Sequence, residues 1–240
     1  GDEVGAYSSD TAVMHTARGL IALQLGDLRA AETEAARAIA GLDAADVLLL
    51  AAVPTLAEAA LWNGNVAVAL DACARGEAVL VEDDQIAASS LLAMAIRAQS
   101  DGAETGALDL AEARVEADRL LARLERVVNV ELCLPEPRVR RLSGVAERSR
   151  LADEPDPAAW QAATEAWSAI GRRYEAAHSG WRWAEAIAAA HGPRDELERV
   201  LAEVLDARLA VHDPTGELLA GEAAPEGWQD AVAEAVTSGR

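Results

Sequence analysis

The stretch GLIALQLGDLRAAETEAARAI, residues 19–39, decides the fold. Its apolar residues recur at three- and four-residue spacing on either side of Gly26-Asp27, the pattern of two amphipathic helices joined by a short turn. Helices joined so tightly lie antiparallel. Gly19 and Ala31 fall where small residues let the two helices touch, and Ala38 lies one helical face further on.

The helical period continues along nearly the whole chain. It predicts helices over residues 9–25, 28–41, 44–63, 65–80, 85–100, 106–129, 136–152, 157–170, 173–190, 194–210 and 226–237. Gly26-Asp27, Gly64-Asn65, Gly171 and Gly192-Pro193 each follow an apolar helical stretch, as a helix-ending glycine in the left-handed conformation would. Asp156-Pro157 supplies an N-cap and a first-turn proline. Pro54 lies inside a helical pattern. It either kinks that helix, the preferred reading, or ends it and lets Thr55 and Glu58 form a capping box.

A row of such hairpins stacks as a solenoid, because one hairpin cannot cover its own apolar face. The fold expected is therefore all-α, with antiparallel helix hairpins stacked over residues 1–210. Residues 19–39 fit the tetratricopeptide pattern. A second copy, residues 56–80, keeps the spacing with Ala57, Gly64-Asn65 and Ala69, and has Gly76 in the place of Ala38. A third, residues 91–121, has a longer connection, and a fourth, residues 157–190, carries large aromatics at its crossing. The repeat-like hairpins thus occupy 9–130 and an aromatic-rich helical end occupies 131–210. The tail, 211–240, alternates weakly around Asp213-Pro214-Thr215-Gly216, a turn tetrad that allows a short β-hairpin or the start of a truncated following segment.

Charge and composition exclude several functions. The net charge is −20. Residues 1–113 carry −13 and residues 151–240 carry −10, whereas residues 114–150 hold 9 Arg against 6 acids. An acidic body repels phosphate, so direct nucleic-acid binding is not expected. The middle segment, with Arg138, Arg140 and Arg141, reads as a solvated helix face. Cys73 and Cys133 are isolated, which suits buried thiols in a reducing cytoplasm. The longest uncharged runs, such as Gln85 to Ile96, are too short for a bilayer. The chain opens with Gly-Asp-Glu, as a segment cut from a longer protein would.

No catalytic constellation is evident. Lysine is absent, so no phosphate-binding GxxxxGK[ST] loop exists. No HExxH occurs, and no Cys/His group has zinc-ligand spacing. His178 and His191 are separated by about 20 Å of helical rise, and Ser179 cannot face its neighbour His178. The expectation is a chain that is not an enzyme, with neither metal nor cofactor.

The densest chemistry lies in AIGRRYEAAHSGWRWAEAIAAAHG, residues 169–192. Tyr174, His178, Trp181 and Glu185 share one helical face. As packing, Trp160, Trp167, Tyr174 and Trp181 form an interhelical aromatic cluster. As function, Arg172, Arg173, Tyr174, His178, Trp181 and Arg182 form a groove for a ligand or partner, with the arginines meeting an anion. Packing is the preferred reading, since Glu175 and Glu185 can neutralise the arginines.

Residues 156–192 also resemble the helical region of the large ATP-binding LuxR-type, MalT-like transcriptional regulators. That region carries a Trp-rich helix, a Gly-Arg-Pro-Tyr-x-x-Ala turn and an Arg-x-Ala-Glu-Ala helix. Gly171, Arg172, Tyr174 and Ala177 match the turn, and Arg182, Ala184, Glu185 and Ala186 match the helix. Arg173 stands where the family carries proline. The resemblance implies a cytoplasmic regulatory module that senses a protein or peptide partner, or a small-molecule inducer, with self-association allowed and no membrane contact. ATP would be bound only by a domain of the parent outside this chain. The arrays attached to class III nucleotide cyclases are also similar, and imply instead an accessory scaffold of a signalling enzyme.

Overall fold

The computed structural model describes residues 2–42, 49–81 and 83–211. Among these residues the chain forms ten α-helices and no strand. They are α1 (Asp2–Gln24), α2 (Leu28–Ala40), α3 (Leu49–Trp62), α4 (Val66–Ala78), α5 (Gln85–Glu104), α6 (Leu110–Val128), α7 (Pro135–Ser149), α8 (Pro157–Ala169), α9 (Arg173–Ala189) and α10 (Arg194–Val211). The turn tetrad of the tail and the helix expected over 226–237 lie outside the described residues. Among the described residues no helix is long and apolar enough to cross a membrane.

The turns form for the reasons their residues suggest. After α1, Gly26 takes φ 76. Its N–H donates to Leu23 O (3.1 Å), and the Asp27 N–H donates to Ala22 O (2.9 Å). These two bonds close a Schellman motif and satisfy carbonyls that the helix end orphans. The Asp27 carboxylate then accepts from the Ala30 N–H at 3.0 Å and starts α2. Gly64 and Gly171 repeat the backbone pattern, and Asp156 caps α8 through the Ala159 N–H (3.1 Å).

The end of α9 departs from expectation. The left-handed residue is His191, with φ 52, rather than Gly192. The two capping bonds close one residue earlier, from His191 N–H to Ala188 O (3.1 Å) and from Gly192 N–H to Ile187 O (2.9 Å). Gly192 is needed for space instead, because a Cβ there would sit 2.9 Å from Ile187 Cγ2. A histidine in this conformation carries the strain of a Cβ near its carbonyl. His191→Gly is therefore expected to stabilise the chain by about 1 kcal/mol, read as a higher urea midpoint.

Pro54 sits within a continuous α3. The helix passes through the proline, so Thr55 is no N-cap, and Glu58 reaches Arg97 of α5 instead.

The chain divides into two compact units, residues 1–153 and 154–240. The first holds α1 to α7. Here α1 packs on α2, α3 on α4 and α5 on α6, and the first helices of successive hairpins also meet, α1 with α3, α3 with α5 and α5 with α7. The helix α7, assigned from sequence to the aromatic-rich end, packs on α5 and α6 in this unit. The crossings are close where residues are small. A Cβ on Gly19 would lie 3.2 Å from the Ala35 backbone nitrogen, and Ala31, Ala38, Ala57 and Ala69 are fully buried. The helix α5 is enclosed by α3, α4, α6 and α7 and buries Leu91, Leu92 and Ile96 completely. In the second unit, α9 packs on both α8 and α10.

Candidate functional site

In the second unit, the Schellman turn at Gly171 fixes where α9 begins. Arg172 N–H donates to Trp167 O at 3.1 Å, and Arg172 becomes the N-cap residue of α9. Its guanidinium pairs with Glu175 at 2.7 Å. Arg173 is exposed beside it, and Tyr174 is half-buried.

One turn further on, the aromatic groups meet. Trp160 of α8 is buried, and its ring stands edge-on to His178 with centroids 6.4 Å apart. His178 meets Trp181 in the same manner at 6.0 Å. The guanidinium of Arg182 lies over the Trp181 ring, 4.5 Å from its centroid, and pairs with Glu185 at 2.8 Å. The structure thus brings His178, Trp181 and Arg182 into one run. Arg172 and Arg173 sit about 14 Å away along the helix axis, so the three arginines do not converge on one anion. Glu175 and Glu185 neutralise Arg172 and Arg182, as the sequence suggests.

His178 stands between Trp160 and Trp181, edge-on to both rings. Trp167 is buried, as expected. Trp183 is the deeply buried tryptophan of α9, and sequence reasoning passed over it. Its signal was present: Ala176, Gly180, Trp183 and Ile187 recur at i, i+4, i+7 and i+11 and are all buried. Arg199 of α10 lies 5.3 Å over the Trp183 ring. An open groove of about 560 Å³ runs here between α8 and α10, with Gln161, Thr164 and Glu165 on one side and Arg199 and Glu203 on the other. The Trp183 indole N–H is buried beside it and has no hydrogen-bond acceptor.

The first unit contains a second polar constellation that the sequence did not reveal. Arg97 of α5 is buried, pairs with Glu58 of α3 at 3.3 Å and lies 5.3 Å over the Trp62 ring. Asp101, one turn on, pairs with Arg150 at the end of α7 at 2.6 Å. Arg150 also meets Glu147 at 2.7 Å and the Glu104 carboxylate. Ser100 Oγ donates to the Glu147 carbonyl at 2.8 Å. Desolvation pushes the Arg150 pKa down, but the carboxylates of Glu147, Asp101 and Glu104 outweigh it, and the net shift is upward. Such a guanidinium holds helices together and neither donates nor accepts a catalytic proton.

The basic segment is likewise engaged within the chain. Arg119 and Arg123 of α6 both reach Glu77 of α4 at 2.7 Å, and Arg148 reaches Asp118 at 2.6 Å. The Arg148 hydrogen bond holds the Asp118 carboxyl below the usual aspartate range. These three arginines are ion-paired across helices, while Arg138 is exposed and Arg140 pairs within its own helix with Glu136 at 2.8 Å.

The Cys73 thiol is not activated. Cys73 is buried, and burial pushes its pKa up to about 12, with Glu77 adding to the shift. Cys133 is half-buried rather than buried. Among the described residues no group of three or more His, Cys, Asp and Glu side chains could hold a metal ion. Comparison with family models, with curated proteins and with solved structures gives no match.

Proposed function

We propose that this chain is the regulatory sensor and protein-interaction module of an ATP-dependent LuxR-type transcriptional regulator, itself non-catalytic and cytoplasmic. The observation that carries this reading is the run Trp160–His178–Trp181–Arg182. It falls inside residues 156–192, the segment that resembles that family. His178, Trp181 and Arg182 are half-buried residues, and the Arg182 guanidinium is stacked on the Trp181 ring. Tryptophan and arginine dominate the energetics of binding surfaces. Arg119, Arg123 and Arg148 are occupied by carboxylates, which supports a module that leaves nucleic acid to another domain.

The test is a thermal-shift screen of the chain against peptide and small-molecule libraries, paired with a duplex-DNA titration. A ligand should raise the melting temperature, because binding to the native state alone stabilises it. The gain should vanish in Trp181→Ala while the unliganded melting temperature changes little. DNA should show weak or no binding at about 0.15 M salt. No stabilising ligand in the screen, or tight and salt-sensitive DNA binding, would overturn the reading.

A further inference from the structure

The groove between α8 and α10 holds two unmatched groups. Trp183 lies on its lining and is only 3% exposed, and its indole N–H has no acceptor among the described residues. A buried donor without a partner costs free energy, and a ligand that brings an acceptor recovers it. Glu165 is the second group. It is exposed on the α8 wall and meets the Gln161 amide at 2.8 Å, and among the described residues no cation pairs with it. The groove also reaches Ser168 and Ala169 in the last turn of α8, the negative end of that helix dipole.

The opposite wall shows which cation suits the groove. The Arg199 guanidinium lies 5.3 Å from the Trp183 ring centroid and pairs with Glu203 at 2.8 Å. A guanidinium is thus already held between an aromatic face and a carboxylate, an environment that favours a planar cation. The Arg199 side chain is 51% exposed, so it can leave the ring without opening the core. Glu203 cancels its charge, and Glu165 then leaves the groove negative. A ligand carboxylate or phosphate is repelled there, so the acceptor that reaches Trp183 must be neutral, as a peptide carbonyl is. The volume of about 560 Å³ suits a short peptide segment. Charge argues against a segment of this chain. The sequence has no lysine and a net charge of −20, and its residues 212–240 hold six acids and one arginine.

We propose that this groove binds an arginine-bearing segment of a basic partner protein. The incoming guanidinium takes the place of Arg199 on the Trp183 ring and meets the carboxylates of Glu165 and Glu203. A backbone carbonyl of the same segment accepts the indole N–H. Arg199 is then the resident competitor, and binding exchanges one guanidinium for another. Trp160, His178, Trp181 and Arg182 lie outside the lining of this groove, so the two sites are tested separately.

Proton–nitrogen correlation NMR of the full chain, titrated at low salt with the blocked peptide acetyl-Gly-Arg-Gly-amide to about 10 mM, tests the site. The Trp183 indole resonance, identified by its loss in Trp183→Phe, should move downfield as its N–H gains an acceptor. The same peptide with citrulline for arginine, neutral but alike in shape, should bind about 10-fold or more weakly. The double variant Glu165→Gln with Glu203→Gln should weaken binding of the arginine peptide about as much, with unchanged circular dichroism because both side chains are exposed. Arg199→Ala should bind the arginine peptide several-fold more tightly, since the competitor is gone, and Trp181→Ala should bind it as the parent chain does. An unmoved Trp183 resonance, equal binding of the citrulline peptide, or unchanged affinity in the double variant would each overturn the proposal. So would weaker binding in Arg199→Ala, the mark of an anion site, or loss of binding in Trp181→Ala.

Discussion

Arg150→Ala is expected to destabilise the first unit by about 3–5 kcal/mol, the cost of removing one member of a buried ion group. The Arg150 side chain is only 12% exposed. Its loss leaves Asp101, Glu104 and Glu147 facing one another without their shared cation. Carboxylates in that position either stay charged and repel, or take up protons, and both alternatives cost free energy. Adding Asp101→Asn to the Arg150→Ala chain should recover part of the loss, since it reduces the repulsion among the three carboxylates, although Asp101 also faces Arg97 at 3.7 Å. Arg148→Ala, which breaks a pair with the well-exposed Asp118, should cost under about 1 kcal/mol and serves as the control. Urea unfolding followed by circular dichroism measures all three. Equal effects for Arg150→Ala and Arg148→Ala would show that the Arg150 group is not the internal clamp described above.

Trp167→Ala should cost the second unit a similar amount, about 3–5 kcal/mol, as a large aromatic removed from a packed interior does. Trp167 is 2% exposed, and its carbonyl accepts the Arg172 N–H that closes the turn into α9. The substitution empties the space under that turn while leaving the backbone bond available. Tryptophan fluorescence during urea unfolding reports on this unit, because Trp160, Trp181 and Trp183 remain in it. A near-wild-type midpoint together with a lost ligand response would shift Trp167 from packing to recognition.

These two sites also mark where the sequence was informative. The turn glycines at 26, 64 and 171 and the Asp156 cap act on neighbours within a few residues, so their roles can be read from local order. Trp167 follows from helical periodicity alone. The Arg150 group does not, because Glu104 precedes Arg150 by 46 positions and Glu58 precedes Arg97 by 39. Only the packing of α3, α5 and α7 selects those carboxylates from the many acids in the chain. Trp181 and Trp183 are two residues apart and point to different faces, and it is the position of α10 that buries the second. Likewise, residues 131–152 were grouped from sequence with the aromatic-rich helical end of the array. The compact units divide at 153/154, because α7 keeps its partners α5 and α6. The candidate site was legible as a segment but not as a geometry. Arg172 and Arg173 were grouped with Arg182 by proximity in sequence, and the helical rise separates them.

The enclosure of α5 has a consequence for how the first unit comes apart. An array of hairpins linked only to nearest neighbours frays from its ends, one repeat at a time. Here α5 is held by α3, α4, α6 and α7, and its Arg97 and Asp101 are tied to side chains on either flank. Neither flank can leave without exposing Leu91, Leu92 and Ile96 or stranding a charge. The amides of α5 should therefore exchange with solvent only through opening of the entire unit, as a single cooperative block, while those of α1 exchange through local opening.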